Sequence, residues 1–183
     1  MSTLETFDSL ADALTDTVDH VQDWTRPSPC EGWAAADVID HIVDTQRDFL
    51  IERGLDLGAR PDGDPAVRWS THRAVVDRLM SDPVVAGTTY EGYFGPTTIG
   101  ETLALFYGFD LIVHRWDIAM ASGQPAEFTT AELDALENAI EGFGEALYAE
   151  GICKSALPVP PDASRQTAVL ARLGRLAPEA VSR

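Results

Sequence analysis

Basic residues are scarce in this sequence: 13 Lys+Arg stand against 30 Asp+Glu, a formal net charge of −17. A field of that sign repels phosphate backbones and anionic lipid surfaces, so nucleic acid is not an expected partner. The same carboxylates attract divalent cations weakly and without geometry, so acidity by itself is no sign of a metal site. Cysteine is equally thin. Cys30 and Cys153 lie far apart in a chain of 183 residues, which is long enough to fill a core without a covalent staple. No structural disulfide is expected, and two free thiols fit a reducing, cytoplasmic setting. Long apolar runs are missing too. No stretch reaches the length of a membrane span, and residues 1–20 alternate apolar and acidic positions without the basic start of a secretory signal. Repeats, low-complexity tracts and a linker to a second domain are also lacking, so one domain over 1–183 is expected, with a proline-rich tail from about residue 156.

What the sequence does have is helical periodicity. Leu4, Phe7, Leu10, Leu14, Val18 and Val21 recur at steps of three and four, which predicts a first helix over 3–24. The run Pro27-Ser28-Pro29-Cys30-Glu31-Gly32-Trp33 breaks the pattern, because proline lacks an amide donor and glycine tolerates turn geometry. A second helix follows over 34–53. A loop rich in Gly, Pro and Asp (54–65) leads to a third over 66–80, stopped at Ser81-Asp82-Pro83. The aromatic and threonine residues of 84–94 suggest an extended connector with at most one short hairpin. Two capping boxes, Thr98 with Glu101 and Thr129 with Glu132, open helices that run to about 122 and about 150, and a short helix over 163–173 closes the pattern. Short connections and few strand signals make the chain all-α, four long helices around one core with shorter ones outside.

The helix opened by Thr98 carries the chemistry. At ~100° per residue, Leu105, Phe109, Ile112 and Trp116 form one apolar flank. Leu103, Phe106 and Val113 form a second, shared with Tyr107, Asp110, His114 and Asp117. Only Glu101, Gly108 and Arg115 are left for water, so Asp110 and His114 should lie inside. A buried carboxylate must be paired or bind a cation. Asp110 and His114 are one turn apart on one face, where their tips can meet on a single metal ion, though a direct Asp–His hydrogen bond satisfies both groups as well. On the second helix His41 sits at the border between the apolar face (Val38, Ile39, Ile42, Val43, Phe49, Leu50) and the acidic one (Asp37, Asp44, Asp48, Glu52). A side chain there lines a cleft, or simply meets solvent. His20 reads as solvated and His72 as a core histidine. No Glu stands three positions before His41 or His114, which argues against a di-iron carboxylate bundle.

Pro27 to Trp33, Asp37-Val38-Ile39-Asp40-His41, the run Asp110-Leu111-Ile112-Val113-His114-Arg115-Trp116-Asp117-Ile118-Ala119 and Ser122-Gly123-Gln124 together resemble the N-terminal domain family of mycothiol-dependent maleylpyruvate isomerase. The tail Leu157-Pro158-Val159-Pro160-Pro161-Asp162-Ala163 with Leu173-Gly174-Arg175 resembles the ending of an actinobacterial branch of it. The resemblance implies a DinB-like four-helix bundle holding one divalent metal, Zn2+ first and Ni2+ or Fe2+ next, through His41, Asp110 and His114. The family's usual glutamate is Asp110 here, shorter in reach by about an ångström, which calls for closer helices, an intervening water or looser binding. The isomerase carries a further C-terminal domain with no counterpart in these 183 residues, so maleylpyruvate is not the expected substrate. The implied chemistry is a mycothiol-type thiol meeting a small electrophile, with Asp117 either orienting His114 or pairing on the helix surface with Arg115 or another base, and Tyr107 either donating a hydrogen bond to substrate or filling core. The alternative is a non-catalytic metal-binding or stress-related bundle protein. A homodimer through a helix face is open to such a fold.

Overall fold

The computed structural model describes residues 3–149 and 152–176. Helix α1 (Thr3–Val18) buries Phe7, Ala11, Leu14 and Val18, the stripe that the spacing predicts. It stops six residues short of the predicted end. Single turns follow, with His20 N–H donating to Thr17 O and Val21 N–H to Val18 O, and Asp23 accepts from the backbone and hydroxyl of Thr25. Val21 and Trp24 still pack on the core from these turns, so the apolar spacing outlasts the helix. Helix α2 (Ala35–Glu52) begins where Asp37 folds back to accept from Ala34 N–H. α3 (Pro65–Met80) starts on a proline whose missing donor costs nothing at that position, with Asp64 capping Ala66 N–H.

A one-turn helix α4 (Pro83–Ala86) precedes the hairpin β1 (Thr89–Gly92) and β2 (Gly95–Thr98), paired antiparallel with Thr89 opposite Thr98. The Thr98–Glu101 capping box is formed in both directions and opens α5 (Ile99–Thr102). The predicted long helix then departs from regularity. Residues Leu103–Tyr107 make a π turn before α6 (Gly108–Ser122), which ends at Gly123 in the left-handed conformation (φ 73°). A π turn holds one residue more than an α turn, so the ~100° extrapolation loses register there. Leu105 and Phe106, assigned to core flanks by the periodicity, are 71% and 49% exposed, while Gly108, assigned to water, is buried. A methyl group on Gly108 would stand 3.1 Å from Leu10 Cδ1, which shows how closely α6 approaches α1.

The chain forms two compact units, Met1–Pro125 and Ala126–Arg183. In the first, α1, α2, α3 and α6 close a four-helix bundle: α6 packs on α1 and α2, and α3 packs on the same two. Phe7, Leu14, Ile39, Ile42, Leu50, Trp69, Leu103, Leu111 and Ile118 belong to its core. This is the all-α, DinB-like bundle with one short hairpin. Three polar residues share that interior. His72 meets Gln46 Oε1 at 3.0 Å, and Arg47 spends its guanidinium on the carbonyls of Leu57 and Gly58 (3.4 and 2.6 Å), pinning the acidic loop to α2. In the second unit α7 (Thr130–Phe143) starts on the other capping box and runs into a 3₁₀ turn at Gly144–Tyr148, where Gly144 takes a positive φ. The α-helix expected to run to about residue 150 thus ends at Phe143, because Gly144 takes a backbone conformation outside the helical region, and only the 3₁₀ turn carries the chain on to Tyr148. α8 (Arg165–Arg172) packs on α7 through Arg165, paired with Asp134 and Glu137. Neither cysteine forms a disulfide, and among the described residues no helix is long and apolar enough to cross a membrane.

Replacing Thr98 by alanine removes the hydroxyl that accepts from Glu101 N–H while leaving the hairpin and π turn in place. A loss of about 1 kcal/mol of stability is expected. Urea unfolding with an unchanged m value and a lowered midpoint would register it.

Candidate metal centre

The site sits where α2 meets α6, against the loop between α1 and α2. That loop is held as a tight structure. Ser28 N–H donates to Trp33 O at 2.8 Å, Trp33 N–H to Cys30 O at 3.0 Å, and the backbone N–H groups of Ala35 and Ala36 reach back to Arg26 and Trp24. Gly32 supplies the positive φ (79°) that lets the chain reverse there. Cys30 and Trp33 are thereby turned inward. The Trp33 ring lies 5.1 Å from the His41 ring and 6.3 Å from the His114 ring, centre to centre, and the two imidazoles stand edge to face at 4.9 Å.

His41, Asp110 and His114 come together as donors. His114 Nε2 is 3.2 Å from Asp110 Oδ1, and His41 Nε2 is 3.6 Å from Asp110 Oδ2. The first contact is a usable hydrogen bond; the second is too long for one. Asp110 Oδ2 is buried and has no hydrogen-bond partner. The shorter aspartate reaches His114 within hydrogen-bond distance and stands 3.6 Å from His41. Behind His114, its Nδ1–H donates to Asp117 Oδ2 at 2.9 Å, and Cys30 Sγ donates to the same oxygen at 3.3 Å. The side chains of His41 and Asp110 keep 31% and 21% of their surface exposed, against 7% for His114 and none for Asp117. The centre therefore opens on the His41–Asp110 side and is closed behind His114.

Charge follows from these contacts. Burial opposes the ionised form of Asp110, but the His114 charge and hydrogen bond outweigh it, with His41 adding to the effect, so the carboxyl lies well below the usual carboxylate range. Burial likewise opposes a charged His114, and Asp110, Asp117 and Cys30 overcome it, holding the imidazole well above its ordinary value. Each charge thus favours the other, and Asp110 and His114 form an ion pair at 3.2 Å. Tyr107 is buried, with its hydroxyl donating to Thr45 O at 3.1 Å and its ring against Phe49; burial and then the Asp110 charge push the phenol up. It fills core beside the site. His72 lies deep in the core with Gln46, and His20 is exposed, bonded to Asp16 O.

Among the described residues two groups of three donors lie within 4.8 Å of one another, His41–Asp110–His114 and Cys30–His114–Asp117. The second group escaped the sequence reading. Cys30 is 87 residues from Asp117, and only the folded loop brings them into contact. The one signal was that the loop run Pro27 to Trp33 takes part in the family resemblance.

A family model described as the mycothiol maleylpyruvate isomerase N-terminal domain matches residues 7–119. The chain belongs to this family. The matched residues run from α1 into α6 and include Cys30, Trp33, His41, Asp110, His114 and Asp117. Two proteins of Mycobacterium tuberculosis, from two strains and both described only as uncharacterized, are 28% identical to the chain over 103 residues, 55% of this chain and 56% of each relative. The chain thus spans about half the length of the curated relatives it matches. No solved structure matches it.

Proposed function

We propose that the chain binds one divalent cation through His41 Nε2, Asp110 and His114 Nε2, and that the loaded protein activates a low-molecular-weight thiol of the mycothiol type toward a small electrophile. The observation that carries this reading is Asp110 Oδ2, a buried charged oxygen without a hydrogen-bond partner, facing His41 Nε2 at 3.6 Å. An ionised group in that position is costly unless a cation meets it. Two imidazoles and one carboxylate with an open side form a donor set suited to Zn2+, and also to Ni2+ or Fe2+. The family to which residues 7–119 belong is named for mycothiol, which favours that thiol class as co-substrate.

The chain's own residues have distinct tasks in this reading. Asp117 takes the Nδ1 proton of His114 and so directs the Nε2 lone pair toward Asp110 and His41. Trp33 lies over both imidazoles and limits water on that side. The exposed edges of His41 and Asp110 leave the approach for a thiol. A bound cation lowers the pKa of a thiol that meets it and stabilises the conjugate base.

Elemental analysis of protein purified without added metal tests the binding half, with about one divalent transition metal per chain expected; none would sink the reading. Consumption of thiol with a small electrophile tests the other half, and stoichiometric metal without turnover would reduce the function to metal binding. Asp117→Asn is expected to weaken metal affinity by about 10–100-fold with the fold retained, since the asparagine presents a weaker acceptor to Nδ1–H. Competition with a chromophoric chelator measures it.

A further inference from the structure

His114 has two sides, and the proposed thiol chemistry takes place on the Nε2 side, with Asp117 on the other only orienting the ring. On the other, Asp117 Oδ2 is the meeting point of two polar hydrogens, one from Nδ1 of His114 at 2.9 Å and one from Sγ of Cys30 at 3.3 Å. Those three donor atoms lie within 4.8 Å of one another. Asp117 is wholly buried, His114 nearly so, and Cys30 half-buried in the loop that Gly32 turns inward. Sulfur, imidazole nitrogen and carboxylate oxygen thus face one small volume from three directions, held there by α6 and by the closed loop.

We propose that Cys30 Sγ, Asp117 Oδ2 and His114 Nδ1 form a second cation site, selective for a thiophilic divalent ion such as Cd2+. Loading exchanges one or two protons for one cation: the thiol proton leaves to solvent, the Nδ1 proton also leaves where Nε2 is already protonated or moves to Nε2 where it is not, and bonds form from Sγ, Nδ1 and Oδ2 to the ion. No oxidant or reductant takes part. Thiolate gives this donor set a preference that the other group lacks, because soft cations favour sulfur while imidazole–carboxylate sets suit borderline ones. A neutral imidazole offers one lone pair, so the two groups compete for His114. Cation held at Nδ1 turns the ring's remaining proton toward Asp110 and His41, and the His41–Asp110–His114 group then loses its third donor. The site needs no metal at that first group and stands on its own contacts.

The test is titration of the metal-free protein with Cd2+, read by the thiolate-to-cadmium charge-transfer band in the ultraviolet. The wild-type chain is expected to show a saturable band of one thiolate per chain. Cys30→Ser should abolish it and Cys153→Ser should leave it intact, with circular dichroism showing that both variants stay folded. His41→Ala should keep the band, since His41 belongs to the other group alone, and Asp117→Asn should weaken cadmium binding by about 10-fold or more. Absence of the band in the wild type, its loss in Cys153→Ser, or its loss in His41→Ala as completely as in Cys30→Ser would each overturn the second site. These outcomes are separable from failure of the thiol-transfer reading, which is judged on the metal content of the protein as purified and on thiol turnover.

Discussion

If the proposed centre holds a divalent metal, Asp110→Asn is expected to lower its affinity by more than about 100-fold, beyond the loss that changes to supporting residues produce, and to leave the purified protein metal-free. The amide is nearly isosteric, so helix packing survives. What disappears is the negative charge that faces His114 Nε2 at 3.2 Å and His41 Nε2 at 3.6 Å. A second readout needs no metal at all. Asp110 is foremost among the groups that hold the His114 imidazole above its ordinary value against burial, so the His114 value should fall in the variant, as an NMR titration of the ring would show. Asp110→Asn with wild-type metal content would remove the aspartate from the site. A changed metal content with an unmoved His114 would mean that the pair is not coupled as its contacts indicate.

The second large effect is acid destabilisation through His72. Burial first, and the nearby Arg47 charge second, lower its value from 6.5 to about 4 in the folded protein. In the unfolded chain the ring protonates near 6.5. Above that pH both states hold His72 neutral and its contribution to stability is complete. As the pH falls from 6.5 through about 4, the unfolded state takes up the proton and the folded state resists, so about 3 kcal/mol is lost across that window. His114 acts with the opposite sign: its folded value is raised, so the metal-free protein gains from it at low pH and loses that gain as the pH rises through the folded value. Urea midpoints from pH 7.5 down to 4, compared with His72→Gln, isolate the first effect. The glutamine keeps a polar partner for Gln46 and does not titrate. Its stability curve should lack the drop between 6.5 and 4, whatever its absolute stability; parallel curves would show that His72 protonates in the folded state as easily as in the unfolded.

Much of the bundle was legible before any coordinates. The stripe of Phe7, Leu14 and Val18 in α1 and the apolar face of α2 are read directly from spacing, since burial of one face of a 3.6-residue helix leaves a periodic trace. The capping boxes at Thr98 and Thr129 were visible because the hydrogen bonds are local, spanning three residues. The proximity of His41, Asp110 and His114 was reachable as well, by combining one helix's i, i+4 pair with a border residue on its neighbour and with the family motifs. The burial of Arg47 and Gln46 was not. A polar side chain deep in a core is stable only through distant partners, here the Leu57 and Gly58 carbonyls and His72.

The π turn is the clearest case of tertiary control. Nothing in the order Leu103-Ala104-Leu105-Phe106-Tyr107 distinguishes five residues of π helix from five of α helix. The choice changes which side chains α6 turns inward, with Gly108 laid against Leu10 and Leu105 left to solvent. The loop of Cys30 and Trp33 is the other case, since its residues gain meaning only when backbone hydrogen bonds fold it onto α2 and α6. By itself, the sequence determined an all-α bundle, a chain without a disulfide and a strongly acidic composition, which depend on composition or on local repeats, and with the family motifs it nominated three candidate donors where helices face one another. Only the tertiary structure decided that Asp117 stands behind His114, that Cys30 shares its oxygen, and that Asp110 keeps one buried oxygen unpaired. Those are properties of atoms from segments far apart in the chain, and no local periodicity encodes their distances.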